Sequence, residues 1–158
     1  MKKLLLALFL ILILAESIFA ATPGTVTITS STITVQGQAS RKTVTLSWVA
    51  SVDAATVPST TITAATYGIG GWYFYSAETN PGATAPTDNY DIVINDADSI
   101  DLAGGLLANR DTSTTEMVNV ALGTLGQYPI IRGDLTFVLS NNAVNSALGT
   151  CILTFIAN

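Results

Sequence analysis

The sequence predicts an all-β protein, a two-sheet β-sandwich of the immunoglobulin-like or jelly-roll kind with about seven to nine short strands. Threonine is the commonest residue, with 23 copies that all follow residue 20, and its branched Cβ favours strands over helices. Apolar and polar side chains alternate in short runs separated by glycine, proline and asparagine, as in strands joined by turns. Beyond residue 21, no stretch sustains an apolar stripe of helical spacing over three turns.

The alternating runs define the expected strands in chain order. The clearest are Thr25–Thr29, which Ile33 and Val35 continue, and then Thr43–Val49, Trp72–Ala77, Tyr90–Asn95, Met117–Leu122, Leu135–Ser140 and Thr150–Ile156. Weaker candidates are Ser59–Ala64 and Ser99–Leu102, and Leu102–Asn109 is expected to form one helical turn at most. Alternation points Cys151 of the last strand to the core, where a thiol behaves as a small apolar residue.

Residues 1–20 have the features of a secretory signal peptide. Lys2 and Lys3 follow Met1 and form a short basic start. Leu4 to Ala15 is an unbroken apolar run, and Ala20 supplies the small residue that precedes the expected cleavage site. A helix of that run would rise about 18 Å, short of the roughly 30 Å hydrocarbon core. We therefore expect a secreted, extracellular or cell-surface protein without a stable transmembrane span after cleavage. The alternative is an uncleaved N-terminal anchor.

A shift in composition divides the remaining chain into an N-terminal strand extension at 21–40 and a β-sandwich domain at 41–158. Between Thr25 and Gln36 the extension carries neither charge nor proline, although edge strands are usually protected by such residues or by a bulge. Only Ser30-Ser31 is a candidate bulge. The extension is therefore either the first edge strand of its own sandwich or a strand donated to a neighbouring subunit by β-augmentation.

Composition excludes several function classes. The chain has 158 residues, a net charge of −5, no histidine and one cysteine. Without histidine there is no Ser-His-Asp or Cys-His nucleophile and no histidine-bearing zinc site, and one cysteine forms no intrachain disulfide. With six basic and eleven acidic residues, the chain lacks the excess of positive charge that binding to nucleic-acid phosphates requires. We therefore expect a non-enzymatic protein that does not bind nucleic acid.

Two consecutive stretches, TNPGATAPTDNYDIVI at 79–94 and DADSIDLAGGLLANRDT at 96–112, carry a family resemblance. They resemble small β-rich proteins encoded by tailed phages and prophages, in which a PTDNYD…DxDxxDxxGG…NRDT run recurs. The resemblance extends over about residues 42–156, and its specific part is 79–112. It implies a virion-associated or structural role and no reaction or catalytic residue. The expected signal peptide and the 21–40 extension differ from that family and favour a surface or extracellular product.

An aspartate cluster is the candidate metal site. Five carboxylates lie within fourteen residues, at Asp88, Asp91, Asp96, Asp98 and Asp101, and hard oxygen ligands suit Ca²⁺. The last three begin like an EF-hand loop but lack its later ligands and its glycine. The open alternatives are a looser Ca²⁺ loop that uses these three carboxylates with backbone carbonyls, and a solvated hairpin turn. No other cofactor is expected.

The same carboxylates do not identify a glycosidase. Its two catalytic carboxyl groups need different surroundings, one buried and one exposed, and nothing in the sequence marks one aspartate as buried and another as exposed.

An aromatic strand offers the second candidate site. In the Trp72–Ala77 run, Trp72 and Phe74 face one way and Tyr73 and Tyr75 the other. In one interpretation the tyrosines stack on a sugar ring; in the other the strand only supplies side chains to the core.

The preferred interpretation of the whole sequence is a structural or adhesive surface subunit whose partners are itself or other surface or virion proteins. The alternative is a carbohydrate-binding β-sandwich module with a Ca²⁺ loop.

Two further motifs are interpreted as structural. Arg110-Asp111 is expected to form an ion pair that holds the loop after Gly104-Gly105. Arg132-Gly133-Asp134 spells an integrin-type tripeptide, but it predicts a turn before the Leu135 strand.

Overall fold

The alternating runs form eight strands and one short helix in the residues that this computed structural model describes, which are 22–34, 39–122 and 127–157. The strands are β1 (Thr25–Ile33), β2 (Ser40–Val49), β3 (Thr60–Ile62), β4 (Tyr73–Pro81), β5 (Asp91–Asn95), β6 (Glu116–Asn119), β7 (Leu135–Ser140) and β8 (Leu148–Ala157). The helix α1 is Ala64–Tyr67. The expected signal peptide lies outside the described residues.

The strands form two sheets in which every neighbouring pair is antiparallel. The five-stranded sheet has the order β1-β2-β8-β4-β6, and the three-stranded sheet has the order β3-β7-β5. β8 is the last strand in sequence, yet it lies at the centre of the larger sheet between β2 and β4. The predicted all-β, two-sheet architecture is confirmed.

One hydrophobic core lies between the two sheets. Alternation along β2 buries Leu46 and Trp48 completely or almost so, and the facing strands β5 and β7 contribute Ile94 and Phe137, each fully buried. Cys151 of β8 is likewise buried. Because strand side chains alternate between two faces, the threonines and serines between these positions lie on the outer face of the five-stranded sheet.

The strand pairing is regular except at one point. β1 pairs with β2 without interruption over nine positions, from Thr25 opposite Val49 to Ile33 opposite Arg41. The candidate bulge at Ser30-Ser31 is therefore wrong. A register shift does occur in β4, between Phe74 and Ser76, where β4 pairs with β8.

One local prediction differs from the structure. Ser99–Leu102 is not a strand but part of a tight reversal, in which Asp96 N–H donates to the carbonyl of Ile100 and Asn95 forms a single bridge with Asp101. Leu102–Asn109 forms consecutive turns without a helix, within the expected limit of one helical turn. Aspartate side chains that accept backbone N–H groups favour turns over either regular structure.

The helix α1 was not predicted, because its stabilising groups come from elsewhere in the chain. Its Ala64 N–H donates to the carboxylate of Asp134, 2.7 Å away. At its other end the Nζ of Lys42 donates to the carbonyls of Tyr67 and Gly68, at 2.9 and 2.8 Å. Gly68 ends the helix with a left-handed φ of 58°, as is usual for a helix C′ residue. No helix among the described residues is long and apolar enough to cross a membrane.

Candidate functional site

The free edge of β1 is the most distinctive surface of the fold. β1 is the terminal strand of the five-stranded sheet, and all its residues except Val26 and Ile28 are exposed. Those two point to the core side, where they lie opposite Trp48 and Leu46, yet they are only half-buried while their partners are almost fully buried. The core thus thins out towards this edge.

The other sheet edges are short or charged. Within the described residues, β6 spans four residues and begins at Glu116, and β3 spans three residues shortly after Pro58. β5 spans five residues and begins at Asp91. Natural proteins use such short strands, charges and prolines to prevent edge-to-edge pairing. β1, with nine uncharged residues and no proline, has none of these protections.

A regular array of hydroxyl groups lies on the outer face beside this edge. Three adjacent rows cross β1, β2 and β8: Thr27, Ser47 and Thr150; Thr29, Thr45 and Ile152; Ser31, Thr43 and Thr154. Each of these side chains is at least partly exposed, and all but Ile152 carry a hydroxyl group. This hydroxyl face is uncharged, so neighbouring molecules that share it would meet little electrostatic repulsion.

The two tyrosines of the predicted sugar platform have different surroundings. Tyr73 lies opposite Ile156 of β8 and forms an isolated bridge with Ile130. Tyr75 falls at the irregularity of β4, and its ring packs edge-on against Tyr128, with 5.3 Å between the ring centroids. Both are half-buried, whereas Phe74 between them is fully buried in the core. Only Tyr73 continues the outer face next to the hydroxyl array.

The candidate calcium loop uses its carboxylates to hold turns. One oxygen of Asp96 accepts the N–H groups of Asp98 and Ile100, each at 2.9 Å. The two oxygens of Asp101 accept those of Ala103 and Gly105, at 3.0 and 2.7 Å. In the described residues, no three acidic or thiol side chains are grouped so that they could hold a metal ion. Calcium binding by Asp96, Asp98 and Asp101 stays a prediction.

An open cleft of about 350 Å³ lies beside this loop. Asp96, Asp98 and Ile100 form one wall, and the chain from Pro129 to Gly133, with Arg132, forms the other. Asp134 of the integrin-type tripeptide is occupied as the acceptor for Ala64 N–H. The tripeptide is the approach to β7, which begins at Leu135, as the sequence predicted.

The expected ion pair of Arg110 is made with a different partner. Arg110 Nη1 lies 3.5 Å from Glu116 Oε2, and its guanidinium also donates to the carbonyl of Ala108. Asp111 instead accepts from the N–H and hydroxyl of Ser113 and from the N–H of Thr114. These hydrogen bonds, led by the Ser113 N–H, lower the pKa of Asp111 to about 2. Sequence spacing did not single out Glu116, although it lies six residues after Arg110, because the path of the intervening loop decides which carboxylate reaches the guanidinium.

The core contains the thiol of Cys151, the hydroxyl of Tyr90 and the indole Nε1 of Trp48. Burial raises the pKa of Cys151 to about 12, which keeps the thiol protonated and unreactive near neutral pH. Burial likewise raises the pKa of Tyr90 to about 12. In the part of the chain that the structure describes, the Nε1 of Trp48 has no hydrogen-bond partner and the hydroxyl of Tyr90 makes no well-formed hydrogen bond, although the Thr79 side chain interacts with it and partly offsets the rise in its pKa. Alternation predicts the burial of Cys151 and Trp48, but the sequence gave no signal that these two polar atoms would be poorly satisfied.

The fold and its surfaces define an all-β protein of two antiparallel sheets, with one long edge that no other strand of residues 22–34, 39–122 and 127–157 covers. A scan against protein-family models and a search of curated proteins found no match. The resemblance to phage proteins stays a prediction.

Proposed function

We propose that the protein is a secreted, non-enzymatic structural or adhesive subunit that assembles with itself, or with other surface or virion proteins, through the edge of β1. The observation that carries this proposal is the nine-residue edge without charge, proline or bulge. Such an edge presents backbone donors and acceptors to a second strand. In a protein that acts as a monomer, this edge would be an aggregation hazard.

The placement of the chemically interesting side chains also supports a structural role. Asp96, Asp101 and Asp111 accept backbone N–H groups within their own loops. Cys151 is fully buried, and burial raises its pKa, whereas a nucleophilic cysteine needs a lowered pKa and access to substrate. These groups stabilise turns and core, and of them Asp96 alone lines the open cleft.

The assembly state of the expected mature chain, residues 21–158, tests the proposal. Native mass spectrometry and sedimentation velocity over a wide range of concentration should show dimers or larger species that dissociate on dilution. Negative-stain imaging would distinguish closed oligomers from extended arrays. A chain that remains monomeric at the highest soluble concentration, alone and with purified virion or surface proteins of its host, would contradict the proposal.

The alternative function, a carbohydrate-binding module, is favoured by one observation. Tyr73 lies on the outer face next to the hydroxyl array, so an aromatic ring and hydroxyl groups are available to the same ligand. Binding to a glycan array that is lost in Tyr73→Ala but kept in Thr25→Ala, at the far side of the face, would support this function. Absence of binding to every glycan would exclude it for the glycans tested.

A further inference from the structure

We infer that two copies of this chain pair edge to edge through β1, antiparallel and about a two-fold axis at Thr29, to form one continuous ten-stranded sheet. This inference rests on the proposed function. It specifies the partner of β1, the register of the two strands and the number of copies in the assembly. The partner is a second copy, because the pairing requires an uncharged, unbulged strand of the same length, and β1 itself is such a strand.

The outer edge of β1 presents unpaired backbone groups. In an antiparallel sheet, alternate residues direct their N–H and C=O groups to opposite edges. β1 pairs with β2 at each of its nine positions, so half of its backbone groups are used and the other half point away from the sheet. In the residues that the structure describes, no strand pairs with that outer edge. A second strand would satisfy these groups with the same hydrogen bonds that β2 provides on the inner edge.

The geometry of the strand limits the register. In an antiparallel pair related by a two-fold axis, the numbers of facing residues have a constant sum, and an even sum pairs odd-numbered residues with odd-numbered and even-numbered with even-numbered. Only those registers place the free backbone groups of one copy opposite the free groups of the other, and only they keep the hydroxyl faces on one side. Among them, the register centred on Thr29 pairs all nine residues of Thr25–Ile33. Thr29 then faces its own counterpart, and Thr27 faces Ser31 of the partner copy.

Both faces of the paired strands follow from this register. On the outer side, the rows through Thr27, Thr29 and Ser31 contain no charge on β1, β2 or β8, and the next row carries Arg41 of β2 opposite Ile33. On the inner side, the half-buried Val26 and Ile28 lie opposite Thr32 and Ser30 of the partner copy, so the backbone hydrogen bonds contribute more than apolar contacts do. The pairing is isologous and uses the single free edge of the larger sheet at this end, so it closes at a dimer. The contact is one strand about 30 Å long, which makes the dimer reversible.

Charge substitutions at the two-fold axis test the inference in the full mature chain. Like charges directly opposite each other in a sheet are destabilising and unlike charges are stabilising. At low ionic strength we expect Thr29→Lys and Thr29→Glu each to raise the dimer dissociation constant by about tenfold or more. An equimolar mixture of the two variants should recover dimers, and native mass spectrometry should show that they are heterodimers. Asn119→Lys and Asn119→Glu, exposed on β6 at the opposite edge of the same sheet, are the matched controls and should leave dimerisation unchanged.

Disulfide trapping reads the register directly. Residues directly opposite in a sheet have Cα atoms about 4.5–5.5 Å apart, within the range of a disulfide, and the native Cys151 is buried. Under mild oxidation Thr29→Cys should form a covalent dimer, and Thr27→Cys should do so much more slowly because Ser31 would face it. The double variant Thr27→Cys/Ser31→Cys should again crosslink. Circular dichroism of each variant confirms that it is folded.

The outcomes separate this inference from the proposed function. Association of the wild-type chain that is insensitive to charge at Thr29 would assign assembly to another surface, which overturns the two-fold pairing and leaves the proposed function standing. Loss of dimers in both Thr29 variants without recovery on mixing, or equal crosslinking at 27 and 29, would overturn the register. A wild-type chain that is monomeric under all conditions would overturn both proposals.

Discussion

The rings of Trp48 and Tyr90 lie in contact in the core, with 6.0 Å between their centroids and 55° between their planes. Both side chains are almost fully buried, and among the described residues neither the indole Nε1 nor the phenol hydroxyl makes a well-formed hydrogen bond, the Thr79 side chain being the one polar group that interacts with the hydroxyl. A buried polar group without a partner costs about 1–3 kcal/mol. The pair therefore contributes through its packing, and its polar atoms oppose folding.

Tyr90→Phe should accordingly keep or increase the free energy of unfolding, by up to about 1 kcal/mol, because it removes the unpaired hydroxyl and keeps the ring. Urea denaturation followed by tryptophan fluorescence measures the change. Tyr73→Phe, at a half-buried position, is the control and should be neutral. A loss of more than about 1 kcal/mol in Tyr90→Phe would mean that an internal water or a protein group satisfies the hydroxyl.

Gly149 should not tolerate any side chain. It lies opposite Trp48 in the β2–β8 pair, and an added Cβ would lie 2.7 Å from the indole Cζ2 and 2.9 Å from the carbonyl oxygen of Asn80. Gly149→Ala should cost about 1–3 kcal/mol of unfolding free energy, as overpacking usually does. Gly70→Ala is the matched control, since nothing lies within 4 Å of its added Cβ. Equal stability of the two variants in thermal melts would contradict the close contact.

Cys151 should resist labelling and should make the protein sensitive to alkali. A bulky maleimide should react with the native protein only at the rate of unfolding, because the thiol is fully buried. Its pKa in the folded state, about 12, lies above the usual 9.0. The stability associated with the neutral thiol is therefore fully present below pH 9 and is lost as the pH rises towards 12, by at most about 1.4 kcal/mol per pH unit.

The control for this alkaline effect is Cys151→Ala, which should show a shallower loss of stability above pH 9. It should not abolish the loss, because Tyr90 also has a raised pKa in the folded protein, about 12 against the usual 10.0, and adds its own loss above pH 10. Identical pH profiles for the wild type and the variant, or fast maleimide labelling, would refute the burial of the thiol.

The aspartates of the 96–101 loop should differ sharply in their importance. Asp96→Ala should lower the unfolding free energy by about 1–2 kcal/mol, because it removes the acceptor of two N–H groups. Asp98 accepts no hydrogen bond from the described residues, so Asp98→Ala should be neutral within about 0.5 kcal/mol. The same variants test the calcium prediction. If Ca²⁺ binds here, it should raise the melting temperature of the wild type and not of Asp98→Ala, whereas no shift in either would reject the site.

The sequence by itself determined the class of fold and much of the core. Period-two alternation fixes which side chains share a face, so Leu46, Trp48 and Cys151 could be placed in the core without knowing any strand order. It also identified the unprotected strand at Thr25–Ile33, because the lack of charge and proline is a property of composition. Turns such as the reversal after Asn95 were predictable as well, since aspartate favours them locally.

Tertiary structure alone decided what depends on residues far apart in the chain. The order β1-β2-β8-β4-β6 places the first strand at an edge and the last at the centre, and alternation carries no information on which strands become neighbours. For the same reason the hydrogen bond between Ala64 and Asp134, which are 70 residues apart, was not foreseen. Whether the buried hydroxyl of Tyr90 finds a hydrogen-bond partner among the described residues also depends on three-dimensional packing. The period of a strand determines which of its side chains share a face, because that depends only on neighbouring residues. Which strand lies at a sheet edge, which side chains meet and which buried polar atoms lack partners depend on how the strands pack together.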